Sequence, residues 1–364
     1  MSVERKKIFV GMSGGVDSSV SAALLKEAGH DVVGVFIKVW QADFLPCNWR
    51  EERREAMRAA AHLNIPFLTL DLEKEYKAEV VDYMIREYGA GRVPNPDVMC
   101  NKHVKFGAFL DFALREGADA IATGHYARVL VGDPYRLLIG VDSDKDQAYF
   151  LWTLGQRELS HAFFPVGGMK KSEVRIRAEK FGLPNAQKKD SQGLCFLGQV
   201  NMHDFLKHFV NAVPGAVENE EGKVIGEHDG AMLYTIGQRQ GFRVHATDSN
   251  TLPYFVLGKD MTANTITVGQ RDPEEQVMKI KPKGVILEAL HSATGDEGWT
   301  GDLLEAQVRY HGERHSVSVE KESGNIVVRF RDPKEPFVAP GQSLVLYRGE
   351  ECLGGGVIAS VFLV

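Results

Sequence analysis

Through its first 125 or so residues the chain alternates short apolar runs with longer stretches of helical period. This alternation limits the fold more than any single motif. The run Ile8, Phe9, Val10 predicts a buried strand; Val16, Val20, Ala23 and Leu24 then recur at helical spacing, and Gly29 closes that helix. DVVGVFIKVW reads as a second strand, REERREAMRAAAHLNI as a helix stopped near Pro66, and FLTLDL as a third strand. EYKAEVVDYMIREYGAG and VKFGAFLDFALREGA are further helices, the latter beginning near Lys102 or His103, and DAIATGHYA is another strand. Strands separated by helices of this length build a parallel, doubly wound α/β sheet whose ligands lie outside the carboxyl ends of the strands. After about residue 200 the chain is glycine-punctuated and strand-like, and from about 273 runs such as EAQVRYH, HSVSVEK, NIVVRFR and SLVLYRG alternate between turns. That pattern predicts an antiparallel barrel or sandwich. The expected architecture is an α/β domain over 1–200, a small β-rich domain over 201–272 and a C-terminal β-barrel over 273–364.

GMSGGVDSS, residues 11–19, falls between the first strand and the first helix. Glycines there let backbone approach a ligand, and the N–H groups of a helix N-terminus attract anions, so the stretch reads as a phosphate site. It is not a Walker loop, which needs a lysine that this stretch lacks, and its glycine spacing does not fit the dinucleotide fingerprint. SGGVDS resembles the PP-loop of ATP pyrophosphatases, which cleave ATP between the α and β phosphates and leave an adenylate. The resemblance implies that Ser13, Gly14, Gly15, Asp17 and Ser18 line the phosphates, with Asp17 placed to share a magnesium ion with pyrophosphate.

With 364 residues the chain has room for two or three domains. No apolar stretch is long enough to span a bilayer, and the start MSVERKKIFVG lacks a signal-peptide pattern. The four cysteines, at 47, 100, 195 and 352, form no CxxC pair and no zinc-finger spacing, so a reducing cytoplasm is the expected compartment. A net charge of −6 means that a nucleic acid would have to be held by a local basic surface. The densest such stretch is Lys170, Lys171, Arg175, Arg177, Lys188 and Lys189, which suits either an RNA backbone or a solvated face.

Two of the cysteines carry chemical signals. Cys100, in RVPNPDVMCNKHVKFG, lies where Pro94 and Pro96 force an extended loop just before the expected helix start, in polar, loop-like surroundings flanked by Lys102 and Lys105; such a thiol is readily ionised. Cys195, in KKDSQGLCFLG, lies in a glycine-bearing loop near Lys188 and Lys189. Cys47 and Cys352 read as small apolar fillers. Adenylation makes a carbonyl oxygen a leaving group, and a thiolate or persulfide is a strong soft nucleophile, so the two features together would replace oxygen by sulfur. Adenylation followed by attack of nitrogen, or RNA binding without catalysis, are the competing readings; neither gives the two cysteines a purpose.

GMSGGVDSS, PNPDVMCNKHVKFG, ATGHYA, DKDQAYFL, KKDSQGLCFLG and LYTIGQRQG, in this order, resemble the tRNA-specific 2-thiouridylase family. The resemblance implies ATP-dependent 2-thiolation of the wobble uridine of tRNA, with release of AMP and pyrophosphate. ATP would lie on Gly11, Met12, Ser13, Gly14, Gly15, Val16, Asp17, Ser18, Ile37 and Gly124, although the family often has methionine where Ile37 stands. The target base would meet Asn95, Pro96 and Asp97; Cys100 would be the nucleophile, Asp97 an acid–base group, and Cys195 the persulfide carrier that closes a transient disulfide with Cys100. His125, Lys145, Asp146, Gln147, Arg309, Tyr310 and Gln342 would contact tRNA. The implied partners are tRNA and a persulfide donor, either a cysteine desulfurase or a relay protein, with no membrane.

Overall fold

The computed structural model describes residues 4–45, 49–189, 202–210, 212–245, 253–270, 282–296, 303–331 and 338–363. Cys47 and Cys195 lie outside them. The first sheet is parallel, in the order β3-β2-β1-β4-β7, from β1 (Lys7–Gly11), β2 (Asp31–Lys38), β3 (Phe67–Asp71), β4 (Ala120–Ala122) and β7 (Ala162–Phe163). Side chains on β1 alternate between faces, and both faces are covered. Ile8 and Val10 pack with Val16, Val20 and Ala23 of α1 (Val16–Glu27), Ala56, Ala59 and Ala60 of α2 (Trp49–His62) and Val174 and Ala178 of a later helix, Lys171–Lys180. Phe9 points the other way, into a core with Val80, Val81 and Met84 of the helical run 73–89 and Val104, Phe109 and Leu110 of the run 96–115. The doubly wound reading holds. The loop 11–18 sits at the carboxyl end of β1, beside the strand-order reversal between β2 and β4.

Two details differ from the sequence reading. The helix carrying Cys100 starts at Pro96, with Asn95 as its cap, rather than near Lys102: Asn95 Oδ1 accepts the Val98 N–H at 3.3 Å and Pro96 takes the first helical position. An asparagine cap followed by proline is a helix-start signal that outranks the extended-loop reading of two nearby prolines. From Cys100 to Ala108 that helix has π geometry, with hydrogen bonds from i to i+5. Second, the chain leaving β4 does not stay with the parallel sheet. It forms a hairpin of β5 (Ala127–Leu130) and β6 (Arg136–Ile139), and β6 pairs antiparallel with the last strand of the chain, Leu137 opposite Cys352.

That last strand, Glu351–Leu363, belongs to a closed C-terminal barrel. Its strands run in the order Pro282–Leu287, Asn325–Phe330, His315–Glu322, Leu303–Gln307, Ser343–Arg348 and Glu351–Leu363, the last closing onto the first with Val361 opposite Val285. Val285, Val317, Val328, Leu344 and Ile358 fill its interior. Between the two domains lies an antiparallel sheet with one parallel pair, Gly215–Glu218 beside Thr265–Gln270. Val217, Val256 and Val268 from it join the same core as Phe9, as do Val345 and Tyr347 of the barrel, so apolar packing is continuous across all three parts. Among the described residues, no helix is long and apolar enough to cross a membrane.

Candidate active site

After Gly11 the Met12 N–H donates to Val35 O at 2.8 Å, which keeps the chain on the sheet for one more residue before it turns. Gly14 has φ +78, and a Cβ there would stand 2.6 Å from Glu52 O of α2, so the turn excludes any side chain. Gly15 caps α1 without any side-chain hydrogen bond. Ser18 Oγ accepts the Ser13 N–H at 3.3 Å, while Ser18 and Ser19 hydroxyls donate to Gly15 O. A second element clamps the turn from outside: Asn185, buried, directs Nδ2 at Gly14 O (3.0 Å), Gly15 O (3.2 Å) and Ser19 Oγ (3.0 Å). An uncapped helix N-terminus behind a side-chain-free turn fits a phosphate group. Ile37, partly buried near the end of β2, gives the neighbouring strand end an apolar residue.

Gly124, after β4, makes a second close approach in the site. A Cβ there would lie 2.8 Å from Ser18 N and 2.9 Å from Asp17 C, both backbone atoms of the first turn of α1. The next two residues reach in different directions. Tyr126 donates its hydroxyl to Asp17 Oδ1 at 2.8 Å, and Lys171 Nζ holds both oxygens of the same carboxylate at 2.7 and 2.9 Å. His125 is enclosed by Phe106 and Phe164, with Nδ1 2.7 Å from Thr123 Oγ1 and Nε2 3.4 Å from Lys105 Nζ. Since an ammonium only donates, Nε2 is the acceptor and Nδ1 carries the proton. Burial, with the Lys105 charge beside it, pushes the His125 pKa well below the usual 6.5. The four-residue segment 123–126 thus touches the loop 11–18 on one side and the Cys100 helix on the other.

On that helix Cys100 is buried, 4% exposed and packed in the main core. This corrects the polar, loop-borne setting read from the sequence: the earlier helix start places the thiol in the second turn, where it is enclosed. The i to i+5 period carries Lys105 round to one π turn beyond it. Asp97, in the first turn, has its pKa raised by burial, against the pull of the Lys105 ammonium. It holds a proton more readily than a surface aspartate, as an acid–base group must. Asn95, beyond its capping role, meets the Tyr149 hydroxyl.

Tyr149 links this segment to the barrel, its hydroxyl directed at Val308 O (3.2 Å) and Ser343 O (3.0 Å). Val93 N–H donates to Pro340 O at 2.9 Å, and Arg92 pairs with Glu288. The barrel therefore presents its loops beside Asn95 and Pro96. Tyr310 lies past the end of the strand Leu303–Gln307, half-buried with its ring 4.5 Å from Phe150, and Arg309 beside it is exposed. Gln342 Oε1 accepts the Ala339 N–H, so this side chain folds back on its own turn. Asp146 Oδ1 likewise accepts the Gly140 and Ala148 N–H groups, and Gln147 Oε1 accepts the Tyr126 N–H; Lys145 precedes them, half-buried. Of the basic stretch, Lys171, Arg175 and Lys188 turn inward onto Asp17, the Ala186 and Lys188 carbonyls and Glu55, Arg177 pairs with Glu27 at the surface, and Lys170 and Lys189 are exposed. Sequence reasoning missed Tyr126, Asn185 and Tyr149. Tyr126 stands in the singled-out ATGHYA string and Tyr149 in DKDQAYFL, but no spacing rule joins either to its partner.

Three protein-family models match in series: a tRNA methyl transferase HUP domain over residues 6–199, a tRNA methyl transferase PRC-barrel domain over 203–270 and an aminomethyltransferase beta-barrel domain over 283–358. The tRNA-specific 2-thiouridylase MnmA of Enterococcus faecalis is 43% identical over 97% of this chain and 95% of its own length. The chain belongs to the tRNA-specific 2-thiouridylase family. The 2-thiouridylase MnmA of Methylobacillus flagellatus, 42% identical, matches 98% of this chain and 99% of its own length, and MnmA 2 of Geobacillus kaustophilus is 44% identical over 98% and 95%. Family membership thus extends through all three domains.

Because His125 is held neutral in the fold and takes a proton more readily when unfolded, stability should fall as pH drops below about 6.5. Each such histidine contributes a slope of up to about 1.4 kcal/mol per pH unit in that window. His228, buried and lowered for the same reason, adds to it. Thermal unfolding between pH 7.5 and 5.5 should show the drop, and His125→Gln should remove part of the slope.

Proposed function

We propose that the protein makes 2-thiouridine at the wobble position of tRNA, of the Lys, Glu and Gln isoacceptors, at the expense of ATP. The observation that carries this reading is the segment 123–126, which packs Gly124 on a phosphate-binding helix turn and His125 against the lysine of the cysteine helix. Two half-reactions need that proximity. In the first, the uracil C2 oxygen attacks the α-phosphorus of ATP, pyrophosphate leaves, and the oxygen becomes part of an adenylate. Residues 11–18 hold the phosphates, Gly124 lets the loop after β4 close on them, and Asp17 is the group suited to a magnesium ion. In the second, the terminal sulfur of a Cys195 persulfide bonds to C2. The Cys100 thiolate attacks the remaining Cys195 sulfur, AMP leaves, and a Cys100–Cys195 disulfide forms. The two thiols supply the electron pair that brings the sulfane sulfur to the thiocarbonyl state, and an external thiol then resets the disulfide. Asp97 handles the proton near the base, and Asn95 and Pro96 frame the base between the cysteine helix and the barrel. Arg309 and Tyr310 offer a cation and a ring to the unstacked anticodon nucleotides around it.

The test is reconstitution with ATP, tRNA and a persulfide donor, followed by mass spectrometry of the nucleosides; absence of 2-thiouridine would reject the proposal. Asp17→Asn should abolish AMP and pyrophosphate formation. It should also lower stability by about 1 kcal/mol, because the carboxylate is the partner of a half-buried lysine rather than a free loop group. Release of ADP and phosphate by the wild type would exclude cleavage between the α and β phosphates.

A further inference from the structure

The stretch 11–18 contains no lysine, yet a site for a triphosphate needs positive charge close to it. The fold supplies one from 154 residues away. Lys171 opens the helix Lys171–Lys180, and its own N–H is fixed by Asp142 Oδ2 at 2.7 Å. Its side chain is 13% exposed and runs beside the Tyr126 ring to end on both oxygens of Asp17, in the first turn of α1. Of the other cations of the stretch, Lys188 ends on Glu55 with its Nζ also 3.4 Å from Gly14 O, and Arg175 ends on the Ala186 and Lys188 carbonyls. Lys171 alone among them has the phosphate loop's own acid as its partner.

This arrangement conflicts with a metal role for Asp17, since an ammonium on both oxygens and a divalent cation on the same carboxylate exclude each other. A half-buried ammonium also requires an anion at all times. Both demands are met if the lysine exchanges one anion for another. We propose that Lys171 is the phosphate-binding cation of this site: it rests on Asp17 when no nucleotide is bound and moves to the pyrophosphate end of ATP when nucleotide arrives, freeing Asp17 for the accompanying cation. The inference rests on the reading of residues 11–18 as the ATP site. The contrary possibility is that Lys171 only pins its helix to α1, in which case it stays on Asp17 throughout.

Calorimetric titration of the full-length protein separates the two. With ATP and magnesium, or with inorganic pyrophosphate and magnesium, Lys171→Met should bind about tenfold to a hundredfold more weakly than wild type, and Lys171→Arg should recover part of the loss. With manganese alone, followed by its electron paramagnetic resonance signal, Lys171→Met should bind more tightly than wild type, because Asp17 is uncovered. A third arm does not depend on the folding of Lys171→Met. In EDTA, Asp17→Asn should bind pyrophosphate about tenfold more tightly than wild type, and Lys171→Gln added to Asp17→Asn should cancel that gain. Wild-type affinity for ATP and pyrophosphate in a folded Lys171→Met, or no gain in Asp17→Asn, would overturn the lysine exchange while leaving the ATP site standing. A wild-type protein that binds neither ATP nor pyrophosphate would overturn the ATP site as well.

Discussion

Cys100→Ser is expected to take up sulfur and fail to pass it on. With Cys195 intact, the protein should still accept a persulfide from a donor, visible as an adduct of about 32 Da that reductant removes. No thiol is then available to close the disulfide, so 2-thiouridine should fall on the order of 10³-fold or more, as for loss of a nucleophile acting in a unit. Cys195→Ser should show no adduct at this site and no product. The structure adds a second expectation, because Cys100 is enclosed. Alkylation of Cys100 should be slow in the protein alone and accelerate when tRNA and ATP are added. Cys352 serves as the internal reference: fully enclosed between the barrel and the β5–β6 hairpin, its thiol pKa is pushed up to about 12 by burial. Cys352→Ala should leave thiolation intact. A sulfur adduct on Cys100 with Cys195 unmodified would reverse the two roles.

Gly124→Val is expected to disable adenylation with Cys100 and the persulfide chemistry untouched. Even the first carbon of the new side chain would meet Ser18 N and Asp17 C at 2.8 and 2.9 Å, and both are backbone of a helix start that cannot yield without moving the phosphate loop. Overpacking of this kind costs about 1–3 kcal/mol in stability. A displacement of about 1 Å in a phosphate-positioning turn lowers the rate on the order of 10²-fold. AMP release should drop accordingly, while persulfide loading on Cys195 stays at the wild-type level. Gly168→Ala is the control, since a Cβ there meets nothing within 4 Å and its φ is ordinary. Equal AMP release by Gly124→Val and wild type would show that the loop after β4 does not govern the site.

Local chemistry determined a good deal of this protein. The apolar run at Ile8, the spacing of Val16, Val20 and Ala23, and the glycines at 14 and 15 each act within a few residues, and each element appeared where that chemistry put it. The absence of a lysine from residues 11–18 was equally plain, and it excluded a Walker loop before any fold was known. Where two local signals competed, the reading went astray: Pro94 and Pro96 suggested an extended loop, whereas Asn95 with Pro96 starts a helix, and the thiol of Cys100 is enclosed within that helix instead of lying in polar, loop-like surroundings.

Tertiary structure decided everything that depends on residues far apart in the chain. Lys171 meets Asp17, Tyr149 meets the carbonyls of Val308 and Ser343, and the β5–β6 hairpin leaves the parallel sheet to extend the barrel. None of these has a periodicity, because a side chain's partner across the fold is set by how the sheets stack and not by its neighbours in sequence. The same cause turned Lys171, Arg175 and Lys188 of the basic stretch inward. Its charges look alike along the chain, but the helix Lys171–Lys180 packs against α1, and it is the rotation of that helix on α1 that aims Lys171 at the phosphate loop and leaves Lys170 in solvent.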